Sequence, residues 1–336
     1  YCVMYPTGGF ATAMQNDDDV RKAACRAFNI FSAEYFADYS DAMTPVAVIP
    51  MHTPDEAIEE IIYIRESLEL KACLFSGMVP RPVPAAEEGD AKAHRLGSVT
   101  YDVFGIDSPY DYDPVWEACL EYGVSPTFHA GGRGYALRRS PTNFTYNHIG
   151  HFASTAEAIC KAMFLGGVTR RFPDLRMGFL EGGTAWACQL YADLIEHWEK
   201  RNRTALEYND PANLDHNLMI DLASEFGPDG MAEMMADRDS ALFAALNTAA
   251  STNDGGQPEL DDYAPCEIER EEDIADLFVP NFYFGCEADD RLNATAFNTE
   301  VNPMGSRINA LFSSDIGHFD VIHMNRVLPH AWELVD

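Results

Sequence analysis

The sequence reads Phe179-Leu180-Glu181-Gly182-Gly183 at the point that is most informative about the fold. An apolar run of strand length ends there in a carboxylate and two glycines, and a segment with helical spacing follows at 184–200. The same arrangement occurs at Pro126-Thr127-Phe128-His129, where the apolar run ends in a histidine. Apolar strands that alternate with amphipathic helices are the repeating unit of α/β proteins with a parallel sheet.

Seven strands can be placed along the chain by working outward from these two units, at 1–5, 46–51, 71–75, 126–128, 176–180, 281–285 and 310–312. Helical spacing and capping signals predict helices at 17–38, after Thr53, at 113–122, after Ser154, and at 184–200, 301–309 and 321–335. The Pro-rich segment that leads up to Tyr112 is predicted to be a long loop.

Two α/β architectures fit this alternation, an open doubly wound sheet and a (β/α)8 TIM barrel. The dinucleotide-binding pattern G-x-G-x-x-G does not follow the first strand, which weakens the case for the open sheet. Seven units fit a barrel that lacks its first strand, and we predict this fold. The chain opens at Tyr1 inside an apparent strand, so we also expect further sequence upstream.

The alternation is interrupted from residue 201 to about residue 280, where the sequence is acidic and rich in Met, Ala and Asp. We predict a helical insertion in a single barrel domain that spans residues 1–336. The insertion either covers the mouth of the barrel or forms a subunit contact, and we expect a homo-oligomer.

The charge balance excludes several classes of partner. Lys and Arg number 23 and Asp and Glu number 54 in 336 residues, which gives a formal charge of −31. Nucleic acids and anionic membranes require clustered basic residues, so neither is expected as a partner. The sequence has no apolar run of about 18 residues, the length that a membrane span requires. The eight cysteines lie far apart without a CxxC pair, which predicts reduced thiols and a cytoplasmic protein.

Ionisable residues follow three of the predicted strands: His129, Glu181 and Asp315. Active sites of barrels lie at the carboxyl ends of the strands, so the three side chains are expected on one rim. A histidine with carboxylates suits zinc or a harder divalent metal. Each residue also has a structural interpretation: His129 as a hydrogen-bonded residue, Glu181 as a helix cap and Asp315 as a turn residue.

Three further residues are candidates for substrate binding. His148 and His151 form an H-x-x-H pair that we place in the loop before a helix, where they bind metal, contact substrate or bond to the backbone. Arg133 follows His129 by four residues and either clamps a substrate carboxylate or lies on the surface.

Three motifs together resemble the amidohydrolase-related family, the branch of the amidohydrolase superfamily that includes aminocarboxymuconate-semialdehyde, resorcylate and carboxyvanillate decarboxylases. They are Pro126-Thr127-Phe128-His129, the segment from Arg171 to Gly183, and Ser314-Asp315-Ile316-Gly317-His318. The resemblance covers most of the chain outside the insertion. It implies a metal-dependent (β/α)8 barrel in which one divalent metal, often zinc, lies at the rim.

The resemblance also implies roles for individual residues. His129 matches the fifth-strand ligand of the family and Asp315 matches the eighth-strand ligand, which also carries the proton. The first-strand pair of ligands has no match, and Glu181 stands where many relatives have a histidine. Glu181 therefore replaces that histidine, binds substrate or is a ligand.

Three functions follow from these observations. We predict a metal-dependent hydrolase that acts on a small carbonyl or carboxylate compound, with Asp315 and Glu181 as catalytic residues. The metal is expected to be zinc, with manganese as the alternative. A metal-dependent decarboxylase of a small carboxylic acid, such as an aromatic acid, uses the same rim and is the second hypothesis. A non-catalytic barrel used for binding is the third.

Overall fold

The computed structural model describes residues 1–75, 77–82, 99–129, 140–207, 210, 213, 215–237 and 261–333. The chain divides into two compact units. The first unit consists of Tyr1–Leu194 and Pro265–Asp336, and the second unit is Ile195–Ala264. The strands and the candidate site lie in the first unit.

The first unit is built on a parallel sheet of seven strands, and a separate antiparallel hairpin contributes two more. In chain order the strands are β1 (Cys2–Met4), β2 (Met43–Ile49), β3 (Ala72–Phe75), β4 (Val79–Pro82), β5 (Val99–Asp102), β6 (Pro126–Phe128), β7 (Met177–Phe179), β8 (Phe282–Glu287) and β9 (Asn309–Ser313). The sheet order is β1-β2-β3-β6-β7-β8-β9, with every neighbouring pair parallel. This sequential order confirms the predicted barrel that lacks one strand, and each of the seven predicted strands is present.

Helices follow most of these strands within the described ranges. They are α1 (Phe10–Ala13), α2 (Asp18–Phe36), α3 (Pro54–Glu66), α4 (Asp113–Glu121), α5 (Phe144–His148), α6 (His151–Leu165), α7 (Val168–Arg171), α8 (Ala185–Arg201), α9 (His216–Phe226), α10 (Met231–Ala236), α11 (Glu271–Phe278) and α12 (Val327–Trp332). Short 3-10 turns occur at Ala37–Tyr39, Ala264–Cys266, Arg291–Phe297, Pro303–Gly305 and Met324–Arg326.

The capping signals were informative at one helix and misleading at another. Thr53 caps α3 as predicted, since its hydroxyl accepts from the Glu56 amide at 3.4 Å and the Glu56 carboxylate bonds back. The predicted cap at Ser154 is wrong. Helix α6 begins at His151 because Gly150 adopts a φ of 71°, and the Ser154 hydroxyl lies inside the helix, donating to the Gly150 carbonyl.

Two further predictions of secondary structure require correction. The helix predicted at 301–309 is reduced to the turn Pro303–Gly305, in which Met304 has a φ of 55°. The segment predicted as one long loop contains the hairpin β4–β5. Arg81 pairs with Asp102 across this hairpin at 2.7 Å, and the two prolines of β4 conceal its strand character in the sequence.

An aromatic ladder fixes the register of three adjacent strands, β6, β7 and β8. Phe128, Phe179 and Phe284 are direct partners on β6, β7 and β8. Their rings stack with centroid distances of 5.4 and 5.9 Å, and all three are almost completely buried. Because the ladder holds the strands in step, the residues that follow them emerge at one edge of the sheet.

Polar side chains attach α2 to the sheet. The Asn29 side chain donates to the Val48 carbonyl at 2.9 Å and accepts from the Val48 amide at 2.7 Å. It thus makes the two backbone hydrogen bonds that a neighbouring strand would make to Val48 of β2. Arg21, which is fully buried, donates to Glu56 of α3 at 2.8 Å. These bonds satisfy groups that are costly to bury alone.

The second unit is helical in its described part, where Asp215 caps α9 by accepting from the Asn217 and Leu218 amides. The predicted helical stretch at 232–249 is described only as far as Asp237, and the glycine-containing loop at 251–256 lies outside the described residues. Across the described ranges, no helix combines the length and apolar character that crossing a membrane requires. All eight cysteines are free thiols.

Candidate active site

The ends of the central strands bring a histidine and a carboxylate into contact. His129 directly follows β6, and Glu181 lies two residues after β7. The His129 Nε2 atom lies against Glu181 Oε2, and each side chain is only 11% exposed. The rings of Phe10 and Phe152 pack on the imidazole of His129, with centroid distances of 4.6 and 4.8 Å. The histidine is therefore held in one orientation by packing.

A second group of ligand atoms shares Glu181. One atom each from Glu181, Asp315 and His318 lies within 4.8 Å of the other two. Asp315 comes two residues after β9, and His318 Nδ1 lies 2.6 Å from Asp315 Oδ1. The structure thus brings together the three predicted residues at the strand ends, with Glu181 between His129 and Asp315.

His318 is the residue of this group that the sequence analysis did not single out. Its Nδ1 bonds to Asp315, and its Nε2 lies 3.3 Å from the hydroxyl of Thr7. The available signal was its position three residues after Asp315, a spacing that lets the two side chains meet within one turn. No comparable signal identifies Thr7, because its contact spans 311 residues of sequence.

The backbone is unusual at both carboxylates. Glu181 has a φ of 61° and Asp315 has a φ of 49°, in the left-handed region that residues other than glycine rarely adopt. Such conformations persist where the surrounding structure imposes them, and they are concentrated at functional sites. Gly183, with a φ of 69°, leaves room for the carboxylate of Asp290, which would lie 2.5 Å from a Cβ atom there.

Carboxylates crowd together at this rim and shift one another's pKa. Burial, followed by the charges of Asp315 and Glu181, raises the pKa of Glu287 at the end of β8 to about 7. Burial also raises the pKa of Asp315, which the hydrogen bond from His318 lowers in part. For His318, burial lowers the pKa, but the bond to Asp315 and the nearby carboxylates raise it overall. A bound cation would relieve this repulsion.

The rim opens into a cavity of about 1120 Å³. Its walls are largely apolar and aromatic, with contributions from Phe10, Met14, Leu74, Met78, Phe144, Phe152 and Phe319. His129, Glu181, Glu287, Asp315 and His318 line the same cavity. An apolar cavity with a small convergent polar group is typical of a site for a small organic molecule.

The structure places the predicted pair of loop histidines on the cavity wall. His148 ends α5 and His151 begins α6, so neither lies in the loop where we expected them. Their ring centroids are 5.1 Å apart, and His151 is 1% exposed and packed on Phe152. Arg133 lies outside the described residues.

The donors at the rim suit a divalent metal. Imidazole nitrogen combined with carboxylate oxygen is a donor set that binds zinc and also manganese. The side chains are already held in place by packing, by neighbouring hydrogen bonds and by constrained backbone. Metal binding would therefore cost little further conformational entropy. The residues present therefore fit a metal centre.

Comparison with known proteins identifies the family of the chain. A family model described as Amidohydrolase matches residues 5–232, which is more than half of the chain. No curated protein matches the sequence.

Several solved structures are similar to this chain at low sequence identity, and two of them reach a TM-score of 0.5. A dihydroxybenzoic acid decarboxylase from Polaromonas, with bound manganese and the inhibitor 2-nitroresorcinol, has 16% identity and a TM-score of 0.50 over 95% of this chain and 72% of that chain. The IDCase of Metarhizium anisopliae has 13% identity and a TM-score of 0.51 over 94% and 64%. A 2,6-dihydroxybenzoate decarboxylase from Rhizobium has 17% identity and a TM-score of 0.41, and the match spans 67% of this chain and 62% of the length of that enzyme.

Proposed function

The chain belongs to the amidohydrolase family, and from this premise we propose that it is a metal-dependent hydrolase of a small carbonyl or carboxylate compound. One observation carries the proposal: His129, Glu181 and Asp315, from the ends of three strands, converge at the rim of an apolar cavity.

His129 and Asp315 are the metal ligands in this proposal. They offer an imidazole nitrogen and a carboxylate oxygen on either side of Glu181. The chemistry that a bound divalent metal supplies is Lewis acidity toward a substrate carbonyl and toward water. We favour zinc, and manganese satisfies the same donors.

The two carboxylates have different roles. Asp315 lies on the cavity wall, where it takes a proton from the attacking water and returns it to the leaving group. Glu181 contacts His129 and keeps that imidazole in place while its negative charge stabilises positive charge at the rim. His148 and His151, which line the same cavity, are proposed to contact the substrate. We propose Arg133 as a further contact for a substrate carboxylate.

Decarboxylation of an aromatic acid is the second candidate function. The observation that favours it is the aromatic wall formed by Phe10, Phe144 and Phe152, which suits a planar ring. The Polaromonas protein that shares the fold is described as a dihydroxybenzoic acid decarboxylase. In this reaction Asp315 would deliver its proton to the ring carbon that loses the carboxylate.

A paired experiment tests the proposal. The purified chain is freed of metal with a chelator, loaded with zinc or manganese, and assayed against neutral aryl esters and anilides and against hydroxybenzoic acids. Turnover of either class that requires metal and is lost in Asp315→Asn supports the proposal, and the class that reacts decides between the two reactions. Asp41→Asn, at an exposed residue, is the matched control. Metal binding without turnover of any compound would favour the binding barrel.

A further inference from the structure

His318 is fixed from both sides by residues at the two edges of the sheet. Its Nδ1 lies 2.6 Å from Asp315, which follows the edge strand β9. Its Nε2 lies 3.3 Å from the hydroxyl of Thr7. Thr7 follows β1, the strand at the opposite edge of the sheet. Its Nδ1 side is therefore turned toward the carboxylates of the rim.

This arrangement is the one that a metal-binding histidine needs. A ligand imidazole uses one nitrogen for the metal, and its other N–H donates to a neighbouring oxygen that fixes the ring and the tautomer. Nδ1 of His318 lies 2.6 Å from Asp315, and His318 belongs with Asp315 and Glu181 to one group of ligand atoms. Nε2–H faces the Thr7 hydroxyl, which is able to accept the hydrogen bond.

We propose that His318 is a metal ligand through Nδ1 and that Thr7 is the positioning residue that orients it. This inference rests on the proposed metal-dependent function. It adds His318 to His129 and Asp315, and the side chains whose ligand atoms lie within 4.8 Å of one another are Glu181, Asp315 and His318. It also makes the centre depend on Thr7, a residue that precedes His318 by 311 positions.

The assignment has a consequence for how the centre forms. Thr7 and His318 connect the segments that follow β1 and β9, and these two strands are the edges of the parallel sheet. A metal on His318 would therefore add to the Thr7–His318 contact that joins the two edges at the rim. We expect zinc to protect β1 and β9 from hydrogen exchange in addition to the segments around His129.

Zinc affinity measured by competition with a chromophoric chelator tests the ligand and its positioning residue. We expect His318→Asn to lose about a hundredfold in affinity or more, and Thr7→Val to lose about tenfold. Thr7→Ser retains the hydroxyl and is expected to bind within about twofold of the parent protein. His323→Asn is the matched control, because His323 lines the same cavity but is outside the group of ligand atoms.

A second measurement does not depend on the folding of any variant. Imidazole 15N resonances of the parent protein are recorded before and after addition of one equivalent of zinc. We expect the Nδ1 resonance of His318 to move and Nε2 to keep its proton. Zinc binding that leaves the His318 resonances unchanged, or a His318→Asn variant with parental affinity, would overturn the inference and leave the proposed function standing. A parent protein that binds neither zinc nor manganese would overturn both.

Discussion

His129 Nε2 and Glu181 Oε2 are in contact at the ends of neighbouring strands, and this contact exists because Phe128 and Phe179 are partners in the register of β6 and β7. The aromatic ladder that builds the core thus also places the chemistry. A shift of one residue in the register would turn one of the two side chains to the other face of the sheet.

Replacing Glu181 by Gln tests the contact itself. The amide keeps the size of the side chain and its hydrogen-bonding capacity, but it removes the negative charge beside His129. We expect turnover to fall by about a hundredfold or more while the metal content stays at one ion per chain. Metal analysis and initial rates on the same preparation check this. Glu117→Gln, at an exposed position of α4, should behave as the parent protein.

Asp315→Asn should separate stability from activity. Asparagine tolerates the φ of 49° at this position, and the change removes a charge that Glu181 and Glu287 repel. We therefore expect the free energy of unfolding of the metal-free variant to exceed that of the metal-free parent by about 1 kcal/mol. The variant should accordingly unfold at a higher temperature, although its activity is abolished. Scanning calorimetry of both proteins after chelation measures the difference. A lower unfolding temperature would show that the carboxylate stabilises the fold.

The lowered pKa of His52 makes the stability of the fold depend on pH. Burial, and then the charge of Arg21, lowers the pKa of His52 to about 4. The unfolded chain binds a proton near pH 6.5 and the folded chain only near pH 4, so this contribution is complete above pH 6.5 and is lost as the pH falls toward 4.

The loss expected from His52 is about 1–3 kcal/mol after allowing for its partial exposure. Urea unfolding at pH 7, 5.5 and 4.5 measures it. His52→Gln should flatten the decline over this interval, whereas an equally steep decline in the variant would assign the acid sensitivity to other groups.

Phe179→Ala tests the aromatic ladder. The ring is 1% exposed and stacks on Phe128 and Phe284, so its removal leaves a cavity between three strands. We expect the free energy of unfolding to fall by about 3–5 kcal/mol, and by less in Phe179→Leu, which refills part of the space. Denaturant titrations of the two variants give the comparison. Equal losses would indicate that ring stacking, and not volume, is responsible.

The strands of the parallel sheet were predictable from sequence because an apolar run marks them. β6 begins and ends where the pattern at 126–128 placed it, and β7 lies inside the predicted 176–180. The location of the site then followed from the rule that parallel strands have their carboxyl ends at the same edge of the sheet. His129, Glu181 and Asp315 were found for this reason.

The remaining features depend on contacts that sequence spacing does not encode. Thr7 acquires its importance only when β1 and β9 lie at opposite edges of the same sheet and their following segments meet. The start of α6 at His151 depends on a left-handed Gly150, which overrides the capping pattern at Ser154. The hairpin β4–β5 depends on the long-range pairing of Arg81 with Asp102.

The central claim is that the rim binds one divalent metal through His129 and Asp315. Calorimetric titration of the chelated protein with zinc, followed by plasma mass spectrometry of the dialysed product, tests it most directly. We predict one zinc ion per chain in the parent protein and none retained in His129→Asn or Asp315→Asn. Zinc retained equally by all three proteins, or by none of them, would contradict the account.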